Sequence, residues 1–265
     1  MRMNVSNVEV GYDKKIIVND LTIGIPDSQI TTIIGSNGCG KSTLLKAMTR
    51  IIPHQKGQIM LDGAEIQKKN TKELAKELAI LPQTQDSAVG LLVEELVSYG
   101  RFPYQSGFGS LTREDREIID WALKSTNTYE LKNSYVDELS GGQKQRVWIA
   151  MALAQNTDII FLDEPTTYLD MAHQLEVLEL LQNLNEKEKR TIVMVLHDLN
   201  HAARFSDYMI ALEKGNLVKA GTPEEVMTSE VLKKVFNIDA VISKDPRSNK
   251  PICITYDLIK EEDQF

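Results

Sequence analysis

The chain has 265 residues, of which 42% are hydrophobic, and a formal net charge of −8 at pH 7. Such a chain can bury a substantial core, as one large domain or two smaller ones, and its negative charge argues against nucleic-acid binding. The two cysteines, Cys39 and Cys253, match no metal-ligand spacing, so neither a disulfide nor a zinc site is predicted. Apolar runs of strand length and a polar N-terminus predict no membrane-spanning helix, and we expect the chain to stay in the cytosol.

The first 25 residues alternate apolar and polar side chains. This pattern predicts antiparallel strands over Val5–Tyr12 and Ile16–Ile25. Tyr12 ends the first of these strands, where its ring could stack on an adenine; an ordinary strand tyrosine is the alternative.

A glycine-rich segment follows the β-branched run Ile30–Ile34 and precedes a helical pattern that begins at Thr43. It matches the pattern GxxxxGK[ST] in the strand-before, helix-after setting that this pattern requires. Glycines let backbone N–H groups turn inward, and a helix N-terminus adds partial positive charge, so the segment predicts a cradle for the phosphates of a nucleotide. The residues of this phosphate loop are Gly35, Ser36, Asn37, Gly38, Cys39, Gly40, Lys41 and Ser42.

Three residues of the loop carry separate predictions. Lys41 is expected to bring a positive charge to the β- and γ-phosphates, and Ser42 a hydroxyl to Mg²⁺. Cys39 is explained by its small size alone. However, a helix N-terminus can lower the pKa of a thiol, so we expect a thiol reagent to block nucleotide binding and ATP to protect.

The next segment predicts a short charged helix over Thr71–Leu78 and a strand over Ala79–Leu81. Gln83 follows that strand, at the end where such sheets keep their sites, so its amide could reach a metal ion or an attacking water. A lone glutamine is more often a surface residue, and that alternative stays open.

Residues 86–157 are dominated by helical patterns and predict a helical subdomain inserted into the α/β core. The predicted helices are Val93–Val97, Arg113–Lys124 and Gln143–Ala154. The segment Gly100–Gly107 is rich in turn formers and aromatics, so it forms either a docking surface or only a connector. Leu139–Gln143 (LSGGQ) opens the third helix, with Ser140 as its N-cap and two glycines that leave backbone N–H groups uncovered, which makes it a second phosphate-binding candidate.

A buried parallel-type strand over Ile159–Leu162 delivers two carboxylates at its C-terminal end, where open α/β sheets bind ligands. Adjacent strand residues point to opposite sides. Asp163 is therefore predicted to hold Mg²⁺, and Glu164 to face a water that attacks the γ-phosphate.

Asp170 is predicted to cap the helix that follows, with one face in the core formed by Leu175, Leu178, Leu181 and Leu184. Thr191–Leu196 predicts another buried strand. His197 lies just past it, where an imidazole could hydrogen-bond a γ-phosphate or serve structure alone. Asp198 is expected to cap a helix through Phe205, and His54, His173 and His201 receive no role.

The last part of the chain is predicted to contain a hairpin of Tyr208–Leu212 and Asn216–Ala220, then a helix over Pro223–Phe236. Ala240–Phe265 is strand-like and then acidic, and no chemistry is assigned to it.

In the order of their motifs, residues 3 to 235 resemble the ATP-binding subunit of an ABC transporter: a strand tyrosine, GSNGCGKS, LPQ, LSGGQ, FLDEP, an LD turn and VLHD. Within that family, VEELVSYGRFPY, TTYLDMAHQLEVLELLQNLN and LHDLNHAARFSD resemble the ATPases of ferric-siderophore importers, whose relatives energise haem and vitamin B12 uptake. Tyr168 departs from many ABC proteins, which have a small residue there, but not from the siderophore type.

The resemblance implies an α/β fold, the P-loop NTPase nucleotide-binding domain over residues 1–240, with an antiparallel β subdomain, the helical subdomain and an accessory tail over 241–265. It also implies site residues that bind ATP and Mg²⁺. The implied roles are Tyr12 on adenine; Gly35 to Thr43 on the phosphates; Ser140, Gly141, Gly142 and Gln143 as the signature; Ser42, Gln83 and Asp163 near Mg²⁺; Glu164, His197 and Gln83 in catalysis; and Asp170 in ATP binding.

The implied partners are a second copy of the chain, which sandwiches two ATP molecules with the first, and integral-membrane permease subunits at the cytoplasmic face of the membrane. Through the permease, an external substrate-binding protein is an indirect partner. The 83–107 region would transmit closure of the dimer to the permease. The implied function is ATP hydrolysis that energises uptake of iron(III)-siderophore complexes. Three alternatives stay open: an ATPase of haem or vitamin B12 import, a soluble ABC ATPase of iron-sulfur cluster assembly or repair, and an adaptor that binds ATP without turnover, against which Glu164 argues.

Overall fold

The computed structural model describes residues 1–13, 15–83, 88–105, 110–167 and 169–259. Its strands are β1 (Met3–Tyr12), β2 (Lys15–Ile25), β3 (Ile30–Gly35), β4 (Lys56–Leu61), β5 (Ala64–Glu65), β6 (Leu78–Leu81), β7 (Ile159–Asp163), β8 (Thr191–Val195), β9 (Tyr208–Glu213), β10 (Asn216–Gly221), β11 (Ile238–Lys244) and β12 (Pro251–Leu258). Its α-helices are α1 (Lys41–Met48), α2 (Thr71–Glu77), α3 (Val93–Ser98), α4 (Arg113–Ser125), α5 (Gly141–Ala154), α6 (Met171–Glu188), α7 (Leu199–Phe205), α8 (Pro223–Val226) and α9 (Ser229–Phe236). Short 3₁₀ helices cover Ile66–Lys68, Tyr99–Tyr104, Tyr129–Leu131 and Val136–Glu138.

Contacts divide the chain into two units. Unit 1 contains the residues up to Lys68 and from Val193 onward, and unit 2 contains Lys69–Ile192. Strand β8 carries the chain from unit 2 back into unit 1. Within the described residues, no helix is both long and apolar enough to cross a membrane.

Unit 1 holds an antiparallel sheet in the order β2-β1-β4-β5, and the predicted pairing of the first two strands is confirmed. Its other sheet strands follow the order β10-β9-β3-β8, in which β3 runs parallel to β9. Every residue of β3 is buried because this β-branched strand is covered on both faces, and it ends at the phosphate loop.

Unit 2 pairs β6 with β7 in parallel, and helices α3, α4 and α5 pack against one another. Helix α5 begins at Gly141, two residues before the predicted start, because the Ser140 side chain caps it. The predicted α/β class with an antiparallel sheet and a helical region is confirmed by these elements. The limits 86–157 of the helical subdomain stay a prediction, and residues 86, 87 and 106–109 lie outside the described part.

Two expectations about helices need correction. Leu175 is only partly buried, and Val177 takes its place beside Leu178, Leu181 and Leu184 in the core. The helix predicted over Pro223–Phe236 is two helices, because Thr228 leaves the helical conformation and caps α9.

The C-terminal segment forms an antiparallel hairpin of β11 and β12 that packs against α7 and α9. Its first strand starts at Ile238, two residues earlier than expected. Residues 260–265, like Tyr168 and the end of the Gly100–Gly107 segment, lie outside the described residues.

Candidate functional site

The phosphate loop lies in unit 1 between β3 and α1, as predicted. Its glycines adopt conformations that side chains resist: φ is 75° at Gly38 and 106° at Gly40, the residue before α1. At Gly35, an added Cβ would lie 2.5 Å from the Cys39 sulfur and from the Leu212 carbonyl oxygen. The backbone conformation of this loop therefore requires glycine at these three positions. Such a conformation lets backbone amides approach a phosphate.

Lys41 is buried, and its side chain bonds back to the start of the loop. Its Nζ donates hydrogen bonds to the carbonyl oxygens of Gly35, at 2.8 Å, and Ser36, at 3.0 Å. The ammonium group is thus held over the loop by backbone acceptors that a phosphate oxygen can replace. Ser42 and Thr43 follow in the first turn of α1, both partly buried.

Cys39 does not have the environment that the sequence suggested. Its side chain is 2% exposed and packs against Gly35. Burial raises the pKa of the Cys39 thiol above its ordinary value, although Lys41 and backbone hydrogen bonds act in the opposite direction. The expectation of a thiol activated by the helix N-terminus is wrong because desolvation of the thiolate outweighs the favourable charges.

Two further predicted residues belong to unit 1. Tyr12 ends β1 with 48% of its surface exposed, so its ring is available for stacking. His197 is exposed after β8 and lines a cleft of about 360 Å³ with Asn200 and Tyr256. The predicted cap is confirmed, since the Asp198 side chain accepts a hydrogen bond from the amide of His201 at 2.7 Å.

Glu164 is the centre of the second group, in unit 2. The Gln83 amide donates a hydrogen bond of 2.7 Å to Oε2 of Glu164, and the Thr167 hydroxyl donates one of 3.0 Å to the same oxygen. The structure therefore brings Gln83 and Glu164 together, as expected for neighbouring strand ends. Two donors on one oxygen fix the position of the carboxylate.

The backbone of Glu164 is left-handed, with φ of 55°. A non-glycine residue in this region costs of order 1–3 kcal/mol, and such strain is concentrated at functional positions. The turn after β7 thus directs this side chain into a cleft of about 180 Å³ that Gln83, Gly141 and Thr167 also line.

Asp163 is the last residue of β7 and is buried. Within the described residues, no three His, Cys, Asp or Glu side chains are grouped to hold a metal ion. A carboxylate, a hydroxyl and an amide oxygen, the donors of Asp163, Ser42 and Gln83, are the ligand types that Mg²⁺ accepts, with phosphate oxygens and water completing the shell. The donor types of these residues therefore fit Mg²⁺.

The signature segment forms a capping box at the start of α5. The Ser140 hydroxyl accepts from the amide of Gln143 at 3.3 Å, and Gln143 Oε1 accepts from the amide of Ser140 at 3.0 Å. Gly141 is exposed, and an added Cβ there would meet nothing within 4 Å. The turn therefore presents uncovered backbone at a helix N-terminus, as predicted.

Asp170 caps α6, as predicted, and is tied to a histidine that received no role. Its Oδ1 accepts from the backbone amide of His173 at 2.9 Å and pairs with the ring Nδ1 at 2.7 Å. The backbone amide of His173, followed by its ring, lowers the pKa of Asp170. A Cβ on Gly142 would lie 3.0 Å from the His173 ring, so this glycine permits the ring to pack on the signature turn.

Sequence reasoning missed Thr167 and His173. A signal existed for each: Thr167 lies three residues after Glu164 in a turn, and His173 three residues after its N-cap, the spacings at which turns and first helical turns bring side chains together. These spacings are common, so they gain meaning only once Glu164 and Asp170 are placed.

Comparison with known proteins gives a consistent result. The family described as ABC transporter matches residues 18–167. The iron(3+)-hydroxamate import ATP-binding protein FhuC of Bacillus subtilis is 60% identical over 263 residues, covering 99% of this chain and 98% of that protein. The ferric enterobactin transport ATP-binding protein FepC of Escherichia coli is 42% identical, covering 96% and 93%.

Among solved structures, a metal-chelate type ABC transporter in an inward-facing conformation superimposes with a TM-score of 0.83 at 28% identity, covering 96% of this chain and 97% of that one. With its phosphate loop, signature turn and Gln83–Glu164 pair, and with these relatives along nearly its whole length, the chain belongs to the ABC transporter family, whose ATP-binding subunits are ATPases.

Proposed function

We propose that this chain hydrolyses ATP to energise uptake of iron(III)-siderophore complexes across the cytoplasmic membrane. The observation that carries hydrolysis is the carboxylate of Glu164, held by Gln83 and Thr167 in a cleft beside the signature turn. The cargo is supported by the 60% identity to an iron(3+)-hydroxamate import protein over 99% of the chain.

In this proposal the phosphate loop binds the β- and γ-phosphates through its amides, and Lys41 exchanges its carbonyl acceptors for phosphate oxygens. Tyr12 stacks on the adenine, a contact worth about 1–3 kcal/mol by analogy with base stacking elsewhere. The signature residues Ser140, Gly141, Gly142 and Gln143 contact the nucleotide of a second copy, so that ATP joins two chains. A solved cassette, MJ0796, is dimeric in a post-hydrolysis state bound to ADP and Pi; it matches 83% of this chain with a TM-score of 0.73 at 29% identity.

Hydrolysis is assigned to residues with distinct tasks. Glu164 accepts the proton of the attacking water, and Gln83 holds Glu164 in place and orients that water. His197 donates a hydrogen bond to the γ-phosphate, and Asp170 supports the turn beside it. Ser42, Asp163 and Gln83 would hold Mg²⁺, which supplies charge neutralisation between the phosphates when bound.

The permease is assigned to a surface of unit 2. Phe102 is 73% exposed, and with Pro103, Thr71 and Ala75 it lines a mainly apolar groove of about 540 Å³. An exposed apolar patch with a polar rim is typical of an interaction site, and it lies on the segment predicted to transmit closure. The chain would thus act as a peripheral subunit at the cytoplasmic face, with an external binding protein delivering cargo to the permease.

The test is uptake of radiolabelled ferric siderophores, with haem and vitamin B12 in parallel, by cells whose only copy is the wild-type chain or Glu164→Gln. We expect siderophore-iron uptake to be lost in the variant and the other two uptakes to be unchanged. Loss of haem or vitamin B12 uptake instead would reassign the cargo. If all three are unaffected while the purified protein hydrolyses ATP, the transport function is wrong.

A further inference from the structure

The 3₁₀ helix that contributes Phe102 and Pro103 to the groove also carries one partner of a buried ion pair. Arg101 belongs to the 3₁₀ helix Tyr99–Tyr104, but its side chain turns inward and is 3% exposed. Its Nε donates to Oδ1 of Asp115 at 2.8 Å, and Asp115 is 5% exposed. A pair this deeply buried requires its full set of hydrogen bonds to compensate for lost hydration.

Asp115 is satisfied on its other side by the start of α4. Its Oδ2 accepts from the amide and the hydroxyl of Thr112, at 2.9 and 2.7 Å. Burial opposes ionisation of this carboxyl, but the hydrogen bonds from Thr112 and Arg101 outweigh it and hold the pKa of Asp115 below its ordinary value. The pair is therefore ionised at neutral pH and anchors the 3₁₀ helix to α4.

The same 3₁₀ helix is hydrogen-bonded to the C-terminal end of α5. Nη1 of Arg101 donates to the Ala154 carbonyl at 2.9 Å, and the Tyr104 hydroxyl donates to the Gln155 carbonyl at 3.0 Å. The Arg101 guanidinium also stacks on the Tyr104 ring, at 3.9 Å from its centroid. Gly100 permits this approach, because a Cβ there would lie 2.3 Å from the Met151 carbonyl oxygen.

Helix α5 connects the residues bonded to Arg101 and Tyr104 to the signature turn at its other end. Its 14 residues span about 21 Å, from the cap at Ser140 to the carbonyls held by Arg101 and Tyr104. A helix of this length moves largely as a rigid body, so a displacement at one end reaches the other.

A second connection runs from the same end of α5 toward Gln83. The Gln155 amide donates to the carbonyl of Ala75, in α2, and to that of Leu78, the first residue of β6, at 2.5 and 2.8 Å. Strand β6 continues to Leu81, and Gln83 beyond it bonds to Glu164. The helix end that Arg101 holds is therefore joined both to the signature and to the residue that fixes the predicted general base.

We propose that Arg101 is a positioning residue that ties the groove around Phe102 to helix α5 and strand β6, so that permease movement reaches the ATP-binding residues through it. This inference rests on the proposed function, which places the permease at that groove. Arg101 is not among the residues assigned above to nucleotide binding or hydrolysis. Its loss should separate transport from hydrolysis and leave the ATPase of the purified chain intact.

The test replaces the whole pair, because Arg101→Met alone would leave the Asp115 charge buried without its partner. The double variant Arg101→Met, Asp115→Asn keeps the volume and an acceptor for Thr112. The matched control is Arg113→Met, Glu117→Gln, which removes a pair with the same 2.8 Å geometry that is 93% and 64% exposed on α4. Arg101→Lys is a second variant, since a single ammonium cannot reproduce the fork that reaches both Asp115 and Ala154.

Two measurements are made on each variant: ATP hydrolysis by the purified chain, and siderophore-iron uptake by cells in which the variant is the only copy. For the double variant we expect hydrolysis within about twofold of wild type and uptake reduced about tenfold or more, with a smaller loss in Arg101→Lys, as expected for a coupling residue. The control should change neither measurement. Uptake within twofold of wild type, or uptake and hydrolysis reduced by the same factor, would overturn the proposal.

A third measurement does not depend on the cargo. Hydrogen exchange of the purified double variant should be faster than wild type at residues 151–157, where Arg101 and Tyr104 hold the end of α5, and unchanged there in the control. Unchanged exchange at these residues in the double variant would overturn the proposal whatever is transported. Failure of the wild-type chain to support any uptake would instead count against the proposed function.

Discussion

The phosphate loop of unit 1 and the Glu164 group of unit 2 are built in different ways. The loop presents backbone amides of one continuous segment, whereas the carboxylate of Glu164 is held by side chains from separate segments. The loop is shaped by Gly35, Gly38 and Gly40. The Glu164 group needs Gln83, which is 81 residues away in sequence, and Thr167 in the adjoining turn.

The two regions also differ in where their strain lies. The left-handed positions of the loop are glycines, which adopt them at little steric cost. In the Glu164 group the left-handed residue is Glu164 itself, and the hydrogen bonds from Gln83 and Thr167 help to hold it. We therefore expect loop variants to alter mainly nucleotide binding, and variants of the Glu164 group to alter mainly turnover.

The largest expected effect is that of Glu164→Gln. An amide cannot accept the proton of the attacking water, so kcat should fall about 100-fold or more, which corresponds to about 2.7 kcal/mol, while ATP binding is retained. Steady-state hydrolysis and nucleotide titration of the purified protein provide the measurement. Glu179→Gln, on the exposed side of α6, is the control, and turnover within tenfold of wild type would refute the role of Glu164.

Tyr12→Ala tests nucleotide binding in unit 1, the unit that also holds the phosphate loop. Stacking on the adenine is equal in the ground and transition states, so the KM for ATP should rise about tenfold with kcat within about twofold of wild type. Tyr12→Phe keeps the ring and should retain the normal KM. A collapse of kcat in Tyr12→Ala would contradict a role limited to binding.

Thr167→Val removes one of the two donors to Glu164 and keeps the shape of the side chain. The loss of one hydrogen bond to a carboxylate, about 1.5 kcal/mol, should lower kcat about tenfold with little change in KM. Thr166→Val is the matched control in the same turn. A variant with raised KM and normal kcat would show that Thr167 acts on nucleotide binding instead.

The smallest effect of ATP is expected on the modification of Cys39. In a Cys253→Ala background, a maleimide should modify native Cys39 at least about tenfold more slowly than the unfolded chain, because the thiol is buried and its pKa is raised. ATP should add little protection. Rapid modification that ATP suppresses would restore the reactive-thiol hypothesis and would mean that the loop opens readily in solution.

Parts of the molecule that depend on local order were predicted from the sequence. The phosphate loop, the caps at Ser140, Asp170 and Asp198, and the buried strand before Glu164 depend on residues within a few positions of one another. Local chemistry fixes them, since a capping hydroxyl or carboxylate can reach only the first turn of its own helix. The errors of the same kind were small: Leu175 lies at the edge of the expected stripe and Val177, inside it, takes its place in the core, and Thr228 interrupts a predicted helix.

Only the tertiary structure decided the rest. Packing determined that Cys39 is desolvated rather than activated, because the cost of burying a thiolate depends on every atom around it. The hydrogen bond from Gln83 to Glu164 joins residues 81 positions apart. Arg101 donates hydrogen bonds to Asp115, 14 positions away, and to Ala154, 53 positions away. By itself, the sequence determined which chemical groups this chain carries, since its motifs specify donors and acceptors in order. The fold decided which of these groups come into contact, because contact requires distant segments to pack together, and packing is a property of the whole core.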